Sequence, residues 1–466
     1  MTTSIFTPLF LLAAFVTLLA APLSTHAAEP ASKPNILMIL VDDLGYGDLS
    51  CYRELGGATD IQTPHLDKLA SEGVTLPNFY ANCPVCSPTR AALLSGRYQE
   101  LVGVPGVVRT NPQDSWGYLA QDAVLLPNVL SKAGYHTALI GKWHLGLRPE
   151  NHPKRRGFDF VHGFLGDMMD DYYKHKRQGQ DYMAKDLETI FPTGHATDLF
   201  SDWAAAYLRE RSEKHPDQPW FCYLAYNAPH TPIQPPADWL AKVKKRTPDM
   251  ENRRAKLVAL IEHMDHGIGQ VLDALKTSGQ AGNTLVIFSS DNGGHVSVGA
   301  NNGRLRGGKQ DMYEGGIKVN FFARWPGKIA PGTRSERRGI SMDLFPTMVE
   351  AGGGELPEGL DGVSILPTLL GQDQGRDERT LYFSRREGNL RWMGDSSWAL
   401  LEPSGLKLLK NTPVAPWEMY DLSTDPKEKN NLAQKNRKDF ARLATKMRAH
   451  IQRGGAVPWQ KGVSSE

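Results

Sequence analysis

The sequence predicts an α/β fold: a large, mostly parallel central sheet flanked by helices, followed by a smaller C-terminal domain of antiparallel sheet and helix. Three observations predict it. Short apolar runs end in polar residues, helical patterns lie between these runs, and short strand-like pieces with turns replace both beyond about residue 375. Strands that alternate with helices form a parallel sheet that is covered on both faces.

Four apolar runs are predicted to be strands buried on both faces, because such strands are apolar throughout. They are Asn35–Val41, Tyr135–Ile140, Trp220–Tyr226 and Thr284–Ser290. Polar segments follow them directly: Asp42-Asp43, Gly141–His144, Asn227–His230 and Asp291–Gly294. Ligands of such sheets bind outside the carboxyl ends of the strands, so the sequence predicts a site at this edge.

Helical spacing of apolar residues predicts a helix near Leu257–Leu275 with Gly279 as its stop, and a shorter helix near Leu126–Ala133. The C-terminal part is predicted to hold three short strands and a final helix, at Thr380–Ser384, Ser397–Glu402, Lys407–Lys410 and Asn436–Gln452. The predicted domains are therefore residues 29–375 and 376–466.

Residues 1–28 are predicted to be a secretory signal peptide. The apolar run Leu9–Ala21 has 13 residues, fewer than the roughly 20 that a transmembrane helix needs. Small residues follow it, with cleavage expected after Ala27 or Ala28. The first eight residues lack Lys and Arg, and a buried N-terminal helix is the alternative. We expect export to the periplasm or the extracellular space, without stable membrane insertion.

The composition excludes several classes of protein. The 466 residues include 53 Lys and Arg against 51 Asp and Glu, a net charge of +2, which argues against a nucleic-acid binder. Hydrophobic residues at 40% and charged residues at 22% exclude a mostly disordered chain. Four cysteines in so long a chain do not form a disulfide scaffold.

Two acidic motifs predict a metal site. Asp42 and Asp43 follow the first strand, and Asp291 and Asn292 follow the fourth. Adjacent carboxylates repel each other unless a cation lies between them, and oxygen ligands suit Ca²⁺ or Mg²⁺. One acidic pair alone is more often a solvated turn, but two pairs at the same sheet edge favour a metal.

The segment Cys83–Arg97 carries the second chemical signal. Its C-x-x-C could be a redox pair or half of a zinc site, but the chain has no second C-x-x-C. Ser87 is predicted to cap a helix whose first turn holds Pro88. Cys86 would then lie at a helix N-terminus, which favours an anion; an ordinary buried cysteine is the alternative.

Cys86-Ser87-Pro88-Thr89-Arg90 resembles the C-x-P-[ST]-R signature of type I sulfatases, in the alkaline phosphatase superfamily. Thr89 replaces the commoner serine, and Ser95 stands where a threonine is more usual. Further motifs resemble those of the family and follow in its order: Asp42–Asp48, Gly141–Gly146, Asn227–Pro232, Asp291–Gly294, Arg306–Lys309 and Trp417–Leu422. The chain also resembles bacterial carbohydrate sulfatases similar to N-acetylgalactosamine sulfatases.

The resemblance implies a modified residue and a metal. A formylglycine-generating enzyme, the implied maturation partner, would oxidise Cys86 to Cα-formylglycine. Asp42, Asp43, Asp291 and Asn292, with the modified Cys86, would bind one divalent cation, most often Ca²⁺ in this family, with Mg²⁺ as the alternative.

The resemblance also implies residue roles. The hydrated aldehyde at position 86 would attack the sulfur with help from Asp291, and His144 would deprotonate its second hydroxyl to expel sulfate. Lys142, Lys309 and His230 would surround the sulfate, and Lys309 and His230 are candidates to protonate the leaving alcohol. Arg90 would hold the diol and its turn.

The predicted substrate is a sulfated polysaccharide or a glycosaminoglycan fragment. Residues 151–185 are rich in His, Lys and Arg and include Tyr172, Tyr173 and Tyr182, which could line a cleft for a sulfated sugar; a solvated basic loop is the alternative. Competing hypotheses for the whole chain are a phosphonate or phosphate ester hydrolase and a non-catalytic sulfated-glycan-binding protein.

With Cys86 modified, at most one disulfide could form among Cys51, Cys83 and Cys222.

Overall fold

The computed structural model of the protein describes residues 1–4, 33–111, 118–372, 377–387 and 395–455. The run Leu9–Ala21 lies outside these residues, so the signal peptide stays a prediction. From Lys33 onward the chain forms one compact unit. Within the described ranges, no helix combines the length and the apolar composition needed to cross a membrane.

The strands of the described chain fall into four sheets. They are β1 (Asn35–Val41), β2 (Val74–Thr75), β3 (Phe79–Tyr80), β4 (His136–Lys142), β5 (Phe160–Phe164), β6 (Lys176–Arg177), β7 (Gln180–Asp181), β8 (Met183–Lys185), β9 (Glu188–Thr189), β10 (Trp220–Ala225), β11 (Thr284–Ser290), β12 (Lys318–Val319), β13 (Phe321–Arg324), β14 (Thr333–Arg334), β15 (Gly339–Ile340), β16 (Leu381–Arg386), β17 (Ser396–Leu401), β18 (Leu406–Lys410) and β19 (Glu418–Asp421).

The α-helices mostly lie between these strands. They are α1 (Pro64–Ser71), α2 (Cys86–Ser95), α3 (Leu126–Lys132), α4 (Ala196–Lys214), α5 (Ala237–Arg246), α6 (Asn252–Thr277), α7 (Glu314–Ile317), α8 (Leu344–Ala351), α9 (Leu366–Leu369) and α10 (Arg437–Gly454).

The central sheet confirms the predicted fold class. Its ten strands have the order β14-β2-β13-β11-β1-β10-β4-β5-β8-β9. The middle five, from β11 to β5, are parallel, while β13 and β8 run antiparallel to their inner neighbours. The four predicted strands are β1, β4, β10 and β11, and they lie side by side at the centre. Their polar carboxyl ends therefore meet at one edge.

The apolar runs reflect helices on both faces of this sheet. In β1, Leu37, Ile39 and Val41 are fully buried on the face covered by α4 and α6. The alternate residues Ile36, Met38 and Leu40 are fully buried on the other face, against α2, α3 and α8. Because successive side chains of a strand point to opposite faces, a doubly covered strand needs apolar residues at every position.

The helix after the C-x-x-C segment begins two residues earlier than predicted. Cys86 is its first residue, and Val85 rather than Ser87 occupies the N-cap position. The Ser87 hydroxyl instead accepts a hydrogen bond from the Val108 amide at 3.1 Å. Pro88 still lies in the first turn, where no intrahelical partner is needed for its missing N–H.

The C-terminal region contains the predicted antiparallel sheet and helix, in the order β16-β17-β18-β19 with α10. One face, which includes Leu400 and Leu408, packs on Leu443 of α10. The other face, which includes Leu409, packs on the rest of the molecule near Tyr80. The domain boundary at residue 376 stays a prediction.

A buried ion cluster joins this sheet to the larger part of the molecule. Lys407 of β18 is fully buried, with its Nζ atom 2.9 Å from Glu314 and 2.8 Å from Glu428. Burial by itself would lower the pKa of Lys407, but the two carboxylates outweigh burial and raise this pKa above its usual value. Lys407 therefore remains charged and lies between two buried carboxylates, whose negative charge it offsets.

We expect Lys407→Ala to lower the free energy of unfolding by about 3–5 kcal/mol, because it leaves buried carboxylates without a cation. Chemical denaturation monitored by circular dichroism measures this loss. The control is Lys410→Ala at the half-buried end of the same strand, for which a change within about 0.5 kcal/mol is expected. Equal losses in the two variants would contradict the role of the cluster.

None of the four cysteines, which all lie within the described ranges, forms a disulfide. Cys83, Cys86 and Cys222 are buried and Cys51 is half-buried. The single disulfide that the sequence allowed among Cys51, Cys83 and Cys222 is therefore not formed.

Candidate active site

The sheet brings the polar strand ends together. Val41 of β1 pairs with Ser290 of β11, so Asp42 and Asp291 follow neighbouring strand ends. Backbone hydrogen bonds fix both positions, from the Asp291 amide to Val41 and from the Asp42 amide to Ala228, each at 3.1 Å. The first bond holds Asp291 beside the end of β1, and the second holds Asp42 beside the loop after β10.

Asp42 lies in a cationic environment. Its Oδ2 atom is 2.5 Å from Nζ of Lys142 and 3.6 Å from Arg90, and its Oδ1 atom accepts a hydrogen bond from the Cys86 thiol at 3.3 Å. Burial alone would raise the pKa of Asp42, but Lys142, His230 and Arg90 hold it well below the usual range. The Asp42 side chain is therefore ionised.

Asp43 has a separate set of partners. Its Oδ2 atom accepts a hydrogen bond from Lys309 at 2.7 Å and lies 3.6 Å from Nε2 of His230. Its Oδ1 atom accepts one from the Asn292 amide at 2.8 Å. Although burial opposes them, Lys309 and His230 lower the pKa of Asp43. Two adjacent carboxylates thus remain charged, each with its own lysine.

Asp291 is held by Arg90, which is fully buried. The Nε and Nη2 atoms of Arg90 donate to Oδ2 of Asp291 at 3.0 and 2.7 Å, and the Asp43 amide donates to Oδ1 at 3.3 Å. Burial and the Asp42 carboxylate raise the pKa of Asp291 to about 7 despite Arg90. A carboxyl group with this pKa exchanges protons near neutral pH.

Cys86 is the first residue of α2, and its thiol lies beside these carboxylates. Burial and Asp42 raise the pKa of the Cys86 thiol well above its usual value. The unmodified side chain is therefore a neutral thiol, and a thiol is a much weaker nucleophile than a thiolate.

His144 is oriented by a backbone carbonyl. Its Nε2 atom lies 2.9 Å from the Val108 oxygen, which can only accept, so Nε2 carries the proton. Its Nδ1 atom is buried and has no hydrogen-bond partner among the residues that the structure describes. Burial and Lys142 lower the pKa of His144 well below its usual value. The ring is thus neutral with an unused lone pair, as a general base requires.

The donor set fits a hard divalent cation. Ligand atoms of Asp42, Asp43, Cys86 and His230 all lie within 4.8 Å of one another. The Oδ1 atom of Asn292 beside them is buried and has no hydrogen-bond partner in the described part of the chain. Carboxylate and amide oxygens are the ligands that Ca²⁺ and Mg²⁺ prefer. An ion at this position would supply the partner that the Asn292 oxygen lacks.

Asp291, which the sequence also predicted as a ligand, is not in the four-residue set. Arg90 and the Asp43 amide contact its two oxygens. Its role as a ligand therefore stays a prediction.

Tyr172 does not line a cleft, contrary to the sequence-based expectation. It is fully buried, and its hydroxyl lies 2.9 Å from each of the carbonyl oxygens of Asn227 and His230. Its ring stacks on His195 with centroids 4.9 Å apart. Tyr172 therefore supports the loop that carries His230. Of its neighbours, Tyr173 is 44% exposed.

We expect Tyr172→Phe to lower the free energy of unfolding by about 1–3 kcal/mol, because two buried carbonyls lose their donor. Tyr173→Phe removes the hydroxyl of an exposed neighbour and is the matched control, with no measurable loss expected. Thermal unfolding of both variants provides the comparison. A Tyr172→Phe protein as stable as its control would show that the hydroxyl does not hold the loop.

The basic segment is partly neutralised by its own acids. Arg177 forms ion pairs with Asp167 at 2.9 Å and with Asp170 at 2.8 Å, and Lys176 lies 2.9 Å from Asp181. These contacts favour the solvated-loop alternative for this part of the segment.

A cavity of about 370 Å³ opens beside Lys309, and the sequence analysis did not identify its lining. His295, Ser297, Gln310 and Thr412 contribute to it. His295 directly follows the Asp291–Gly294 motif and Gln310 directly follows Lys309, so adjacency to a motif was the available signal. Thr412 follows β18 and reaches the cavity only through the tertiary fold.

Comparison with known proteins agrees with this geometry. A family model described as Sulfatase matches residues 34–354, and one described as N-sulphoglucosamine sulphohydrolase, C-terminal, matches residues 308–455. Human N-acetylgalactosamine-6-sulfatase is 35% identical over 386 residues, covering 77% of this chain and 70% of the relative.

Two further proteins are similar over most of their length. A sulfatase of Formosa agariphila is 32% identical, with 90% of this chain and 88% of the relative covered. The crystal structure of Ps i-CgsB in complex with k-i-k-neocarrahexaose superposes with a TM-score of 0.80 at 31% identity, covering 90% of this chain and 92% of that one.

Proposed function

The chain belongs to the sulfatase family and is a sulfuric ester hydrolase, and from this premise we propose that it removes sulfate from a sulfated carbohydrate, a polysaccharide or a glycosaminoglycan fragment. We further propose that the nucleophile is made from Cys86 and that one divalent cation assists it. The observation that carries the proposal is the position of the Cys86 thiol, which lies 3.3 Å from ionised Asp42, while Lys142, Lys309 and His230 contact the same pair of carboxylates, Asp42 and Asp43.

Asp42, Asp43, Asp291 and Asn292 would hold the cation, Ca²⁺ in the first instance and Mg²⁺ as the alternative. When bound, the ion supplies positive charge that stabilises anionic oxygen. A Cα-formylglycine at position 86, made by a formylglycine-generating enzyme, supplies an oxygen nucleophile in place of the neutral thiol. The orphaned Asn292 oxygen supports the metal, and the raised pKa of the Cys86 thiol supports the need for modification.

The remaining residues move protons and stabilise charge. Asp291, with a pKa raised to about 7 by burial and Asp42, would accept a proton from the group at position 86. Lys142 and Lys309 would face the sulfate oxygens, where fixed cations stabilise developing negative charge. His230 and Lys309 are the candidates to protonate the leaving alcohol.

His144 is the candidate for the second proton transfer, because its Nδ1 lone pair is unused. Arg90 would keep Asp291 in place through its two donated hydrogen bonds. These roles use side chains at four neighbouring strand ends, two side chains of α2, and Lys309 of the loop between β11 and α7.

A carbohydrate substrate is supported by the names of two similar proteins. One is an N-acetylgalactosamine-6-sulfatase, and the other was solved in complex with k-i-k-neocarrahexaose. We propose that this chain is exported and acts in the periplasm or outside the cell, as the predicted signal peptide implies.

Initial rates on 4-nitrophenyl sulfate, 4-nitrophenyl phosphate and bis(4-nitrophenyl) phosphate test the reaction. We expect the sulfate to be cleaved fastest by matured enzyme; a faster phosphorus ester would favour the phosphonate or phosphate hydrolase alternative. Sulfate release from N-acetylgalactosamine 6-sulfate, galactose 6-sulfate and neocarrahexaose tests the substrate class. Binding of these sugars without release would favour the non-catalytic alternative.

A further inference from the structure

The cavity beside Lys309 contains a residue with unusual backbone geometry. Gln310 has φ +82, in the left-handed region that residues with a Cβ atom rarely adopt. Lys309 precedes it and contacts Asp43 at 2.7 Å. Residues in such strained conformations persist where the surrounding structure imposes them, and they concentrate at functional sites.

Contacts from two sides hold Gln310 in this conformation. Its amide donates to the carbonyl oxygen of Pro84 at 2.9 Å, and Pro84 lies two residues before Cys86. Its carbonyl accepts a bond from Arg385, a buried residue of β16, at 3.5 Å. The segment before the proposed nucleophile and the C-terminal sheet therefore fix the backbone of Gln310, and with it the direction in which its side chain leaves the main chain.

The Gln310 carboxamide has no hydrogen-bond partner among the described residues, although the side chain is partly buried and lines the cavity. Around it lie His295, whose Nε2 atom is 2.8 Å from the Ser297 hydroxyl, and Thr412. Asp311 also lines the cavity, and its carboxylate accepts hydrogen bonds from the Gly308 amide and the Asn411 side chain. Apart from Lys309 and Asp311, the polar groups of the lining offer hydrogen bonds without a fixed charge. Such a lining suits the hydroxyl or amide substituents of a sugar better than a second sulfate.

We propose that Gln310 is a specificity-determining residue whose carboxamide hydrogen-bonds a hydroxyl or acetamido substituent of the sugar ring next to the sulfate ester. This inference rests on the proposed function and names one contact by which a sugar sulfate is distinguished from a simple aryl sulfate. The left-handed backbone directs the side chain of Gln310 toward the cavity before substrate binds.

The test compares kcat/KM for two substrates in matured Gln310→Ala enzyme. One substrate is the sugar of the panel that the wild type cleaves fastest, and the other is 4-nitrophenyl sulfate, whose ring has no hydroxyls. Alanine keeps the Cβ atom and so the same backbone cost, but it loses the carboxamide. The ratio of the sugar value to the aryl value is expected to fall about 10- to 100-fold, as when a site loses a hydrogen bond to a substrate hydroxyl.

Two further variants distinguish the effect of losing the carboxamide from the effect of the left-handed backbone. Gln310→Gly removes the strain together with the carboxamide, and the same fall in the ratio is expected. Gln178→Ala is the matched control, since Gln178 also has a left-handed φ of 51 but is exposed on the turn between β6 and β7. Its ratio should equal that of the wild type.

A ratio that stays at the wild-type value in Gln310→Ala or Gln310→Gly overturns the inference, as does an equal loss on both substrates. Those results leave the proposed function intact, because the wild type still releases sulfate from the sugar. A wild type that cleaves the aryl sulfate but no sugar overturns both the inference and the carbohydrate assignment.

Discussion

Replacing Cys86 with alanine is expected to lower kcat by at least about 10⁴-fold, the loss that removal of a catalytic nucleophile causes. Cys86 is buried at the first turn of α2, and its thiol lies 3.3 Å from Asp42. Alanine is small and a good helix former, so the fold should persist. Sulfate release from 4-nitrophenyl sulfate measures the effect.

The matched control is Cys222→Ala, which removes another buried free thiol, in β10 rather than in the site. We expect it to retain activity and a similar melting temperature. Peptide mass spectrometry of active wild-type enzyme should also show the mass of formylglycine at position 86. Activity in Cys86→Ala, or an intact thiol in fully active enzyme, would refute the proposed nucleophile.

Cys86→Ser separates the modification from the mere presence of an oxygen. Serine supplies one hydroxyl, whereas a hydrated aldehyde supplies two, and on our proposal the second is needed to free the enzyme of sulfate. We therefore expect Cys86→Ser to release at most one equivalent of 4-nitrophenol. Many turnovers by this variant would show that a single hydroxyl suffices.

The second large effect is expected for Asp43→Asn. Asp43 has φ 68, a left-handed conformation that asparagine tolerates well, so the backbone should be preserved. The substitution removes one of two adjacent negative charges at the proposed cation site. We expect Ca²⁺ affinity to fall about 100-fold and kcat to fall about 10²- to 10³-fold. Calorimetric titration of chelator-treated protein and rates at saturating Ca²⁺ measure the two effects.

Asp238→Asn is the control for this substitution, because Asp238 is exposed on α5 and pairs only with Lys242 among the described residues. Neither Ca²⁺ affinity nor rate should change. Asp291→Asn is a less direct test, since it leaves the fully buried Arg90 without its carboxylate partner and threatens folding. Unchanged Ca²⁺ affinity in Asp43→Asn would place the ion elsewhere.

Much of the fold was predictable from local pattern. The predicted bounds of β1 and β11 agree with the structure, and α6 extends the predicted helix by a few residues at each end. Strand β5 was not predicted, because its polar and glycine residues, as in Phe160–Phe164, interrupt the apolar run. The N-cap of α2 was predicted two residues too late: it is Val85, and the Ser87 hydroxyl accepts a hydrogen bond from Val108, which is distant in sequence.

The candidate site was likewise only partly predictable from the sequence. Motifs identified the ten residues proposed for the site, and in the structure α2 and the strand ends that carry most of them lie together. Their pairing was not predictable: Lys142 contacts Asp42, Lys309 contacts Asp43 and Arg90 contacts Asp291. Each pair joins residues 100 or more positions apart in the sequence, and no local signal specifies such contacts.

By itself, the sequence determined the α/β architecture, the sulfatase family and the chemical groups available at the strand ends, because apolar periodicity and motifs are local properties. Only the tertiary structure decided which charges neutralise one another, that Tyr172 is buried beneath the His230 loop, and that Gln310 faces the cavity beside Lys309. These features depend on burial and on contacts between distant segments, such as the bond from Gln310 to Pro84. Neither burial nor a left-handed φ can be recognised from a glutamine or a tyrosine in the sequence.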